Sequence, residues 1–122
     1  MSERLPESGL PKAQIDNLIG DFEQQLLQMQ RALTEGEVQI RQVAQLQANF
    51  RTQLLPLAMV QPAQTAILTE INRHLRLLSV DATFLQAARQ PQTRQQRIGR
   101  IRERIQQLLG FVQALTGQDE TR

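Results

Sequence analysis

The sequence predicts an all-α fold, an antiparallel up-down-up-down four-helix bundle, on three observations. Apolar residues recur every three or four positions in four segments of roughly 20 to 28 residues, the pattern of a helix with one face in a core. The breaks between segments are short and hold Gly or Pro, which makes sequence neighbours antiparallel. Apolar positions of neighbouring segments also pair at a nearly constant sum of residue numbers, as they must across a hairpin. A chain of 122 residues is one domain's worth. The domain is expected over 11–117, with 1–10 as a disordered lead and 118–122 as a frayed end.

The first helix begins at Pro11, a favourable first-turn residue, and its apolar stripe runs through Ile15, Leu18, Ile19, Phe22, Leu26, Met29 and Leu33. Thr34 with Glu37 then reads as a capping box for a second helix, and Gly36 relaxes the corner. The second helix carries Ile40, Val43, Leu46, Phe50 and Leu54. With a sum near 69, Ile15 meets Leu54, Ile19 meets Phe50 and Leu26 meets Val43. Phe22 opposite Gln47 breaks the match. Pro56 cannot donate a backbone hydrogen bond and biases Leu55 away from helical angles, so the second helix is expected to end or kink there. The link 57–61 is apolar enough to pack.

The third helix, from Pro62 to about Arg89, is the segment around which the rest is organised. Leu68, Ile71, Leu75, Leu78, Ala82 and Leu85 line one stripe, and Ile67, Leu77, Phe84 and Ala88 widen it, so the helix must be covered on more than one side. Phe84 and Leu77, at the margin of that arc, are expected to cover the second helix, with partial exposure beside it as the alternative. Gln90-Pro91-Gln92 breaks the pattern, and Thr93 with Gln96 reads as a second capping box. The fourth helix shows Ile98, Ile101, Ile105, Leu108, Val112 and Leu115 and stops at Gly117. With a sum near 183, Leu85 meets Ile98, Leu78 meets Ile105 and Ile71 meets Val112, all apolar. A rival arrangement has the first two helices as an arm exchanged between two subunits.

Composition excludes several function classes. Without cysteine there is no disulfide framework and no thiolate for zinc, iron–sulfur or nucleophilic chemistry. Gly-rich phosphate loops, Ser/His/Asp arrangements and paired carboxylates are absent, so an enzyme is not expected and no cofactor is implied. With no long apolar run and no basic-then-apolar N-terminus, a cytoplasmic protein without a membrane partner is expected. The net charge of +2 is unevenly spread: residues 1–40 carry seven acids against three bases, and residues 41–122 carry eleven bases against five acids. Thirteen of the fourteen bases are Arg, which favours planar, bidentate contact with carboxylate or phosphate.

Three constellations stand out. His74 and Asp81 fall inside the apolar arc, seven residues and so about 10 Å apart along the helix. That is far for one metal or one proton transfer, and the structural alternative pairs Asp81 with Arg102 across the hairpin. The second is the run Arg89, Arg94, Arg97, Arg100, Arg102, Arg104, offset only by Glu103, a strong local positive potential. Its bland counterpart is a solvated face. Nucleic acid is disfavoured because no Tyr or Trp exists and the four Phe are not interleaved with the arginines. Third, Gly99 and Gly110 lie on nearly one line of the fourth helix, a possible close contact with a subunit or partner, or merely tolerated drift.

The string Leu75-Arg76-Leu77-Leu78, then Asp81, Phe84-Leu85-Gln86-Ala87-Ala88-Arg89-Gln90, Thr93 and Arg97 resembles the cyanobacterial heterocyst frequency control protein family, PatD. The likeness covers about residues 70–115; the N-terminal hairpin matches only in length and helical pattern. It implies a small non-enzymatic regulator linked to heterocyst differentiation and to the tubulin-like cell division protein FtsZ. Joined to the charge pattern, it makes Phe84, Leu85, Arg89, Arg94, Arg97 and Arg100 the expected contact for an acidic or apolar-acidic segment of a division protein. A nucleic-acid or nucleoid-associated binder and a purely structural oligomerisation module stay open, as does the choice between monomer and homodimer.

Overall fold

A computed structural model describes residues 11–35 and 40–117. Those residues are all-helical, with four long helical segments and no strand among them. Helix α1 is Lys12–Thr34 and α2 is Ile40–Asn49, prolonged by a wide π turn, Phe50–Leu54. A short α3, Leu57–Val60, and a 3₁₀ turn, Pro62–Gln64, lead into α4, Thr65–Ala87; α5 is Pro91–Gly117.

Each helix buries most of the stripe its periodicity defines, with Leu18 and Ile40 partly exposed. Ile15, Ile19, Phe22, Leu26, Met29 and Leu33 of α1 share one core with Leu68, Ile71, Leu75, Leu78 and Leu85 of α4 and Ile101, Ile105, Leu108 and Val112 of α5. Leu78 and Ile105 are both fully buried. α4 packs mainly on α5 and also on α2, while α1 packs on α5 and α2. The first two helices thus pack over the other two. Leu57 is buried as well, so the link after the π turn packs as expected.

Two local expectations are corrected. Leu55 keeps helical angles, φ −57° and ψ −37°, although a proline follows it. The chain tolerates this by widening: the Leu55 N–H donates to the Phe50 carbonyl at 2.8 Å, five residues back. The extra residue in that turn relieves the clash a proline ring makes with the carbonyl four residues before it, and the helix ends there as expected, at Leu54, before α3 begins at Leu57. Thr34 is the last residue of α1, and its hydroxyl donates back to the Gln30 carbonyl at 3.2 Å. The capping box read for Thr34 and Glu37 involves residues 36–39, which lie outside the described residues. Finally, α5 starts at Pro91, not at Thr93; the Arg94 N–H donates to the Gln90 carbonyl at 2.9 Å. A proline at the first helical position loses no bond, because that N–H has no intrahelical partner in any helix.

Across the first hairpin the ring of Phe22 meets that of Phe50, with centroids 5.8 Å apart and planes tilted by 46°, so the two largest side chains of the hairpin bury each other.

Candidate functional site

The C-terminal turns of α4 and the first half of α5 form a corner around the short link 88–90. Ala88 is extended, φ −74° and ψ 128°, which releases the last carbonyls of α4. The Leu85 carbonyl accepts from the Ala88 N–H at 3.1 Å and from an Arg94 guanidinium nitrogen at 3.4 Å. Arg94 is thus a C-terminal cap of α4, a position where a cation also complements the helix dipole.

Phe84 stands out of the core on the outer flank of α4 with 48% of its surface exposed. The guanidinium carbon of Arg97 lies over its ring, 4.7 Å from the centroid. Phe84 was expected to cover the second helix; it is instead held by α5. Its position one residue before the buried Leu85 turns it about 100° away from that neighbour. Leu85, only 3% exposed, belongs to the core, and this removes it from the residues expected to meet a partner. Arg89 and Arg100 are exposed. Among the described residues no carboxylate forms an ion pair with Arg89, Arg97, Arg100 or Arg102.

Asp81 marks the inner limit of this surface. Its carboxylate oxygen Oδ2 accepts from Arg104 Nε at 3.2 Å, and the same oxygen lies 3.2 Å from a terminal guanidinium nitrogen. The expected partner, Arg102, is exposed on the other side of α5. Further along the seam, His74 Nδ1 is 2.9 Å from the Glu70 carbonyl oxygen, and the imidazole edge packs on Phe111 with centroids 5.1 Å apart. His74 and Asp81 thus engage separate partners. No group of three or more His, Cys, Asp or Glu with metal-binding geometry exists among the described residues.

The residue sequence reasoning missed is Val80, 47% exposed and one helical turn before Phe84 on the outer face of α4. Its helical phase, close to that of Phe84 and away from Leu78 and Ala82, was available as a signal. Away from this corner, a groove of about 270 Å³ between α1 and the π turn is lined by Asp21, Gln25, Asn49 and Gln53 over Phe22 and Leu54. Its amides and single carboxylate form no cluster suited to acid–base or nucleophilic chemistry. No described helix is long and apolar enough to cross a membrane.

No curated protein and no solved structure matches this chain. One family model does, that of the CRR41 C-terminal domain, and it matches residues 11–112. Its span takes in α1 through most of α5 and includes the whole Arg-rich corner. The chain belongs to the CRR41 C-terminal domain family.

Proposed function

We propose that this chain is a non-enzymatic regulatory module that binds a protein partner through the corner of α4 and α5. The observation that carries this reading is Phe84, half-exposed and overlaid by Arg97. A large apolar ring on the surface costs hydration free energy, and an arginine immobilised on it has already lost part of the side-chain entropy that binding would demand. With Arg89 and Arg100 exposed nearby, the corner offers one apolar contact ringed by cations. That is the complement of an acidic segment bearing an apolar residue. The helix neighbours, α1 on α5 and α2 on α4, support an up-down-up-down bundle as the scaffold that holds the corner rigid.

The resemblance of residues 70–115 to the heterocyst frequency control proteins makes the division protein FtsZ the first partner to test. Purified FtsZ is titrated against the chain at increasing ionic strength, with Arg89→Glu and Arg97→Glu as variants. Each variant is expected to weaken binding roughly tenfold at low salt, and salt is expected to weaken the parent toward the variants. Equal affinities for parent and both variants would remove the corner from the interface.

A further inference from the structure

The corner continues as a strip. Phe84, Val80 and the half-buried Leu77 recur at four and three residues along the outer side of α4, spanning about 10 Å. Phe84 and Val80 are two of the three large apolar side chains exposed among the described residues; the third, Met59, belongs to α3. Beside the strip α5 supplies Arg97, and Arg100 is exposed about one helical turn further along α5, while Arg104 is engaged by Asp81.

Resting on the reading above, we infer that the occupant of this surface is an acidic amphipathic helix, laid along α4 with its apolar stripe on Leu77, Val80 and Phe84 and its carboxylates toward Arg97 and Arg100. The spacing of the strip is that of a helix–helix seam, so apolar residues three and four apart on the occupant meet it in register. Backbone chemistry also favours a helix over an extended segment. The side of α4 presents no unpaired N–H or C=O, so a strand laid on it would have its own backbone groups desolvated without partners. A helix satisfies those groups internally. The arginine flank sets the sign of the partner's charge, and with Glu103 as the only acid within residues 89–104 that sign is negative.

The test uses three probes on the full chain: a synthetic Glu-rich peptide of about 18 residues with leucines at helical spacing, its scramble of identical composition, and a DNA duplex. Fluorescence anisotropy reads the affinities, for the parent and for Val80→Ser and Arg97→Glu, each checked for folding by circular dichroism. The amphipathic peptide is expected to bind about tenfold tighter than the scramble. Val80→Ser should erase that difference while leaving the scramble unchanged, and Arg97→Glu should weaken both. Equal binding of the two peptides to the parent overturns the helical occupant and leaves the Arg-rich corner standing. Failure of both peptides overturns both readings, and tighter binding of the duplex than of either peptide replaces them with a nucleic-acid surface.

Discussion

The Arg104 guanidinium meets a single oxygen of Asp81, Oδ2, through two of its nitrogens, each 3.2 Å away. The side chains are 16% and 7% exposed, so the arginine retains access to water and the carboxylate has almost none. The two halves of the pair are therefore unequal, and so are the consequences of removing either.

Arg104→Ala leaves a buried carboxylate without its partner and is expected to destabilise the fold by about 3 kcal/mol. Asp81→Ala frees a guanidinium that can reach solvent along its own stem, at a cost of about 1 to 2 kcal/mol. Arg102→Ala, at an exposed site, should stay within about 0.5 kcal/mol. Urea denaturation of the three variants checks the order; an Arg102→Ala effect as large as that of Arg104→Ala would contradict this geometry.

Gly99 and Gly110 test the idea of a glycine line made for close contact. A Cβ built at either position meets nothing within 4 Å, so the chain's own packing requires neither glycine. Each alanine substitution should stabilise α5 by roughly 1 kcal/mol, read as a rise in Tm. A fall in stability that depends on protein concentration would instead reveal a subunit contact along that line.

Phe50 and Phe84 contrast a core ring with a surface ring. Phe50 is fully buried against Phe22, and Phe50→Ala should cost about 3 to 5 kcal/mol. Phe84→Ala loses only a half-exposed ring and one arginine contact, so its expected cost is about 1 kcal/mol. Thermal unfolding of both variants measures the gap. A Phe84→Ala loss approaching that of Phe50→Ala would show the ring to be scaffold instead of surface.

Leu78→Ala probes the seam that joins the two long C-terminal helices. With Leu78 and Ile105 both fully buried, the truncation leaves a cavity at the centre of the largest helix pair and should cost about 2 to 5 kcal/mol. Denaturant midpoints at unchanged slope would confirm a loss of packing without a change of compactness.

Much of the fold was legible because helical periodicity reports directly which residues turn inward. The stripes from Ile15 to Leu33, from Leu68 to Leu85 and from Ile98 to Leu115 are all buried, apart from the partly exposed Leu18. The breaks were less legible, since Pro and Gly announce a change of path without specifying it. Pro56 was absorbed by a π turn and Pro91 became the first residue of a helix. In the candidate site, the arginine cluster, Phe84 and the burial of Leu85 could be read from the sequence, and the helical phase of Val80 pointed outward, but the partner of Asp81 required three dimensions.

By itself, then, the sequence determined that the chain is helical, which faces are apolar and that positive charge gathers where α4 hands over to α5. Only the tertiary structure decided that Asp81 takes Arg104 and that Phe84 lies under Arg97. The reason is geometric. Matching residue numbers across a hairpin fixes height along the paired helices but not the flank, and residues two apart on a helix, such as Arg102 and Arg104, point about 200° away from each other.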